Sequence, residues 1–115
     1  MIEQYIPETW VTGSEPMVTV EGKLAAGLTV AKYTPLGLKK STGEFHVWDP
    51  AATDGTEVAV RLAPAVLDST GGAVSVQLIK AGTFNPDLVA WPGAATDVQK
   101  ACAFVGTPIG LQLPG

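Results

Sequence analysis

Ala73-Val74-Ser75-Val76-Gln77-Leu78-Ile79-Lys80 decides the class of this chain. Val74, Val76 and Leu78 fall on every second position, the period of a strand with one apolar face and not of a helix. Upstream, Glu57 to Leu62 repeats the pattern with Val58, Val60 and Leu62. Between these two predicted strands Pro64 interrupts any ladder, and Asp68-Ser69-Thr70-Gly71-Gly72 collects residues that tolerate positive φ, as a connecting loop requires. Further upstream Leu36 and Leu38 alternate with other residues, Lys40-Ser41-Thr42-Gly43 supplies a turn, and Glu44-Phe45-His46-Val47-Trp48 returns. That is a predicted hairpin.

Helix is confined to short pieces. Asp49-Pro50 reads as an N-cap with a first-turn proline, predicting one helical turn ended by Asp54-Gly55; Asn85-Pro86 repeats the pair before Asp87-Leu88-Val89. Thr96 with Gln99 forms a capping box, and Asp97 suits the positive end of a helix dipole, so a helix is predicted from Asp97 to about Val105. Val98, Ala101, Cys102 and Val105 recur at i, i+3, i+4 and i+7 and are expected to line the core, with Cys102 a small core side chain. Gly106 and Pro108 stop the helix, and Ile109 to Leu113 reads as a last strand. The fold class expected is mainly β with short helices, α+β.

Residues 1–30 differ in character from the remainder of the chain. Pro7, Gly13, Pro16, Gly22 and Gly27 chop them into short β-prone runs, Trp10-Val11-Thr12 and Met17-Val18-Thr19-Val20-Glu21, with no obvious hairpin partner. The expected organisation is a flexible N-terminal arm, 1–30, and a compact β-rich body, 31–115, with the arm strands pairing with another chain. Trp10 is the expected anchor on a partner. On this reading residues 1–15 could be removed with the body still folded.

The chain's 115 residues suit one domain and carry a formal net charge of −4, with only seven basic side chains. That excludes the clustered basic face a phosphate backbone needs, so no nucleic-acid partner is expected. Charged residues make up 16%, below the roughly 25% of an average soluble domain, and mean hydropathy is +0.25. No run approaches the roughly 20 apolar residues of a membrane helix, and a protein so sparsely charged is expected to hide surface in a partner or in copies of itself. Met1-Ile2-Glu3-Gln4 lacks the basic start of a secretory signal, so synthesis in the cytoplasm is expected.

Catalytic chemistry finds little support. His46 is the single histidine and Cys102 the single cysteine. Asp49, Asp54, Asp87 and Asp97 all sit where capping or turn formation explains them. Gly71-Gly72 has no following Lys-Ser/Thr, so a phosphate loop is absent. No enzyme activity, cofactor or metal is expected. Three tryptophans raise one alternative, a monomeric carbohydrate- or cell-surface-binding β module, because exposed aromatic faces stack on sugar rings.

A series of short words runs in fixed order: Thr34-Pro35-Leu36, Val47-Trp48-Asp49, Thr53-Asp54-Gly55, Lys80-Ala81-Gly82-Thr83-Phe84, Trp91-Pro92 and Ala103-Phe104-Val105-Gly106-Thr107. Together they resemble the head decoration proteins of lambda-like tailed phages. Tyr5-Ile6-Pro7 and Ser14-Glu15-Pro16 are similar to the family's Tyr-x-Pro and Ser-Asp-Pro pieces, with Glu in place of Asp. Pro50-Ala51-Ala52 and the tail Leu111-Gln112-Leu113-Pro114-Gly115 depart from it. The resemblance implies a β-clip-like body with an extended N-terminal arm, forming homotrimers that cement the outside of the expanded capsid at its three-fold sites against internal DNA pressure. It implies the phage major capsid protein as partner, gripped by an arm that includes Ile2, Tyr5, Ile6, Trp10, Val18 and Val20. Thr34, Pro35, Leu36, Trp48, Asp49, Gly55, Gly82, Thr83, Phe84, Trp91, Pro92, Phe104 and Gly106 would then serve the body, as core or subunit interface.

Overall fold

In the computed structural model, which describes residues 10–113 apart from 14, 15 and 94, the strand opened by the alternating stretch extends from Val74 to Phe84 and organises the rest. In chain order the strands are β1 (Val18–Leu24), β2 (Thr29–Val30), β3 (Pro35–Lys39), β4 (Glu44–Val47), β5 (Arg61–Leu62), β6 (Leu67–Asp68), β7 (Val74–Phe84) and β8 (Ile109–Leu111). A 3-10 turn, Pro86–Leu88, and the helix α1 (Asp97–Cys102) lie between β7 and β8. Among the described residues the architecture is mainly β with one short α-helix.

The larger sheet runs β1-β4-β3-β5-β7-β8, and because β1 also pairs with β7, its first five strands close into a ring. The predicted hairpin is β3 against β4, from Leu36↔Val47 to Lys39↔Glu44. β8 lies parallel to the end of β7, from Gly82↔Ile109 to Phe84↔Leu111. β2 and β6 form a separate pair.

The alternation in β7 announces one apolar face, yet at its middle both are buried. Leu78 and Ile79 are neighbours on opposite faces, and each is fully inaccessible. Leu78 packs with Leu24, Val30, Leu36, Phe45 and Ala63 in one core. Ile79 packs with Trp10, Tyr33, Trp48, Leu62, Phe84 and Phe104 in the other. Gly22 of β1 makes the first core possible: a Cβ there would stand 2.8 Å from the Phe45 ring and 2.9 Å from Leu78.

Several expectations are corrected. No helix forms after Trp48: the Ala52 amide donates to the Asp49 carbonyl at 3.0 Å, closing a turn, and the Lys40 amide donates to the Asp54 carbonyl at 2.8 Å, drawing the segment straight back to β3. The strand expected over 57–62 shortens to Arg61–Leu62 because Val58 is still turning, its amide donating to the Gly55 carbonyl at 3.2 Å. The run at 17–21 does have a partner in its own chain, since β1 pairs antiparallel with β7 from Val18↔Ala81 to Leu24↔Val74. With Leu24 and Val30 also buried, residues 18–24 and 29–30 are part of the sheets.

The largest correction concerns α1. Its capping box is present as read, Thr96 with Gln99 at 2.8 and 3.1 Å, but none of its residues is buried. Val98 and Val105 are 72% and 73% exposed, and Cys102 is exposed. The reason is at the exit: the helix stops at Cys102, and Phe104 adopts φ 66. That left-handed turn drives the Phe104 ring into the core at 3% exposure. One aromatic side chain anchors the segment, and the aliphatic stripe is left facing outward.

Candidate functional site

The ordered words come from separate segments, and most of them converge. Thr34 bridges its own turn, Oγ1 donating to the Ala31 carbonyl at 2.7 Å, while its carbonyl accepts from the Ala63 amide at 3.0 Å. Pro35 and Leu36 follow, fully buried, in β3. The Pro35 carbonyl accepts from the Trp48 amide at 2.9 Å, and the Trp48 indole N–H donates to the Glu57 carbonyl at 2.8 Å. The Trp91 indole N–H donates to the Pro86 carbonyl at 3.1 Å, and its ring meets Trp48 edge-on at 5.8 Å. Phe84 and Phe104 fill the same core. Gly82 and Thr83 lie in β7, the Gly82 amide donating to the Pro108 carbonyl at 3.1 Å. The Pro92 carbonyl accepts from Ala95 at 3.0 Å, and Gly106 turns the chain at φ 85.

Asp49 and Asp54 brace the loop between β4 and β5. Asp49 Oδ1 accepts from the Ala51 amide at 3.0 Å. Asp54 Oδ1 accepts from the Thr56 hydroxyl at 2.6 Å and amide at 3.1 Å. These bonds, the hydroxyl first, hold the Asp54 carboxyl below its ordinary value of 3.8, and the Thr70 amide and hydroxyl do the same for Asp68. A depressed folded-state value means that the contribution is full above the ordinary value and fades as pH falls through the folded one. The Tm gap between the wild type and Asp54→Ala is therefore expected to stay constant from about pH 7 to about pH 5 and to narrow below 3.8; a gap that widens in acid would contradict this.

The arm residues separate. Ile2, Tyr5 and Ile6 lie outside the described residues. Trp10, expected as an anchor on a partner, is in this chain's own core at 7% exposure, stacked on Tyr33 at 3.7 Å and on Phe84 at 4.6 Å. The Asn85 amide donates to its carbonyl at 2.8 Å and the Thr12 amide to the Thr83 carbonyl at 3.0 Å, so residues 10–12 lie along the end of β7. Val18 is exposed and Val20 half-buried on β1.

Two grooves flank α1, and sequence reasoning missed both. One, of about 570 Å³, lies between the 3-10 turn, the helix and β8, with Trp91, Ala101 and Leu111 on its walls and Asp87 and Lys100 as its charged groups. The other, of about 200 Å³, runs between Trp48, Val58, Cys102 and Val105, with Glu57 as its charged group. The periodicity that revealed the stripe gave no sign of which way it faced. Among the described residues no His, Cys, Asp or Glu side chains gather in threes as a metal site would require. What this arrangement can do is present shaped, largely uncharged surface.

Comparison with known proteins points the same way. The family described as bacteriophage lambda head decoration protein D matches residues 7–109. The head decoration protein of Enterobacteria phage P21 is 29% identical over 97 residues, covering 84% of this chain and 80% of that protein. The putative decoration protein of Escherichia phage N15 is 33% identical over 101 residues, 85% of this chain and 86% of that protein.

Proposed function

The chain belongs to the bacteriophage lambda head decoration protein D family, a structural protein of the phage head, and from that membership we propose that it is a trimeric cement bound to the outside of the expanded capsid at its three-fold sites. The observation that carries the proposal is the family match over residues 7–109, nearly the whole chain. Its partner is the major capsid protein, and its task is to raise the free energy needed to part capsid subunits pushed outward by packed DNA. The β-clip-like description of the body belongs to the same proposal.

The grip is assigned to the N-terminal segment, adding a strand to the capsid protein, with main-chain hydrogen bonds giving affinity and alternate side chains giving register. Ordering such a segment costs a few kcal/mol. Three segments per trimer offset that through effective concentration, so individually weak contacts sum to a stable clamp. The arm expected over 1–30 is narrowed here to residues 1–9, with Ile2, Tyr5 and Ile6 as its apolar side chains, because Trp10 and β1 are engaged within their own chain. Val18, exposed on β1, remains available as a flanking contact.

Removing residues 1–9 is expected to leave the far-UV circular dichroism and thermal transition of the body in place and to abolish co-sedimentation with expanded heads. Full-strength attachment by the truncated protein would sink the arm mechanism. Unexpanded proheads are expected to bind neither form.

A further inference from the structure

Two of the three tryptophans are spent on the core. Trp10 and Trp48 are buried at 7% and 4% exposure, whereas Trp91 packs only partly against that core and lines the groove between the 3-10 turn, α1 and β8. Its position there is fixed. The indole N–H is committed to the Pro86 carbonyl at 3.1 Å and the ring meets Trp48 edge-on at 5.8 Å, so what Trp91 can offer a ligand is apolar ring surface. It has no second donor.

The other walls select the kind of ligand. Ala101, Ala103 and Leu111 are small or apolar, and the volume of about 570 Å³ falls within the roughly 300–1,000 Å³ of small-molecule sites. Asp87 and Lys100 share the groove without pairing with each other, for the one ion pair between described residues is Lys23 with Glu44 at 3.8 Å. Their charges sum to zero. A carboxylate only accepts hydrogen bonds and an ammonium only donates them, so a neutral molecule with several hydroxyls can satisfy both. A net anion or cation gains one partner and is repelled by the other.

We propose that this groove binds a neutral pyranose sugar, with a C–H face of the sugar ring against Trp91 and hydroxyls that donate to Asp87 and accept from Lys100. The polarised C–H bonds of a pyranose carry partial positive charge, which the electron-rich face of an indole attracts. The groove is built in advance. Its walls come from the capped helix α1, from a 3-10 turn held by the Asn85 side chain and from β8 on the end of β7. The site stands beside the decoration role and does not rest on it.

The test titrates the full chain by calorimetry with maltose, lactose and diacetylchitobiose, and with glucuronic acid, glucosamine and sorbitol as controls for charge and for the ring. At least one neutral disaccharide is expected to saturate the protein, and the controls are not. Asp87→Asn and Lys100→Met are each expected to weaken binding about tenfold. Trp91→Leu keeps the wall apolar without the ring and is expected to lose saturation. Should its melting fall as well, Ala101→Trp decides, because Ala101 is exposed and an indole there fills the groove; it is expected to melt as the wild type does and to bind no sugar.

Saturation by none of the three disaccharides would overturn the inference, as would a titration that Ala101→Trp leaves unchanged. Glucuronic acid or glucosamine binding as tightly as the neutral sugars would overturn the roles given to Asp87 and Lys100. Loss of co-sedimentation with expanded heads in Ala101→Trp would make the groove a capsid contact and end the sugar reading, with the decoration role intact.

Discussion

Phe84→Ala is expected to lower the unfolding free energy by about 3–5 kcal/mol, read as a shift of the urea midpoint at unchanged slope. Phe84 is fully inaccessible, ends β7, and carries the Trp10 ring on its face. Its loss opens a cavity that β8 and residues 10–12 cannot both close, because each is hydrogen-bonded to the backbone around it. Trp10→Ala is expected to cost a similar amount, and the double variant less than the sum, since each substitution removes the other's stacking partner. Trp10→Phe should cost much less, because the Trp10 indole N–H is buried with no acceptor among the described residues. A loss under about 1 kcal/mol for Trp10→Ala would show that residue 10 belongs with the arm after all.

Gly55→Ala is expected to cost about 2–4 kcal/mol, for two separable reasons. Gly55 holds φ 110, a conformation that strains any side chain, and its Cβ would press on the Leu38 carbonyl oxygen, with the Lys40 amide nitrogen 3.1 Å away. Backbone atoms of a paired strand cannot step aside as a flexible side chain can. Gly27→Ala isolates the first reason, for Gly27 holds φ 82 with nothing within 4 Å of its Cβ, and it should cost only about 1–2 kcal/mol. Equal losses at the two positions would mean that the loop between β4 and β5 gives way, contrary to its bracing by Asp54 and Thr56.

How much of this is legible in the sequence depends on whether the deciding interactions are local. The β3–β4 hairpin, the caps at Asn85 and Thr96 and the alternation of β7 are set by residues within a few positions of one another, and the sequence shows them plainly. The pairing of β1 with β7 is hidden, because it joins residues fifty or more positions apart and no turn residue announces it. Trp10 is misplaced by sequence reasoning for the same reason: its stacking partners Tyr33 and Phe84 are distant along the chain. The stripe on α1 is visible, but its expected direction is the reverse of the real one. Periodicity fixes which side chains share a face, while the direction of that face is set by Phe104, just beyond the helix. Of the family residues, the structure places Trp48, Phe84 and Phe104 in one core with Trp91 packed against it, which accounts for those words as architecture.

The long strand β7 also has a mechanical consequence. Residues 10–12 lie antiparallel to its end, and β1 continues the pairing along the same strand to Val74. Ladder bonds between antiparallel strands stand perpendicular to the strand axis. Tension entering the body at residue 10 is therefore met first by the bonds of residues 10 and 12 to the end of β7 and by the Trp10 stack, and the β1–β7 ladder behind them is loaded along its axis, in shear. A pull on the N-terminal side of Trp10 would thus be resisted in two stages, first at the end of β7 and then along β1, both on the strand that the two cores share.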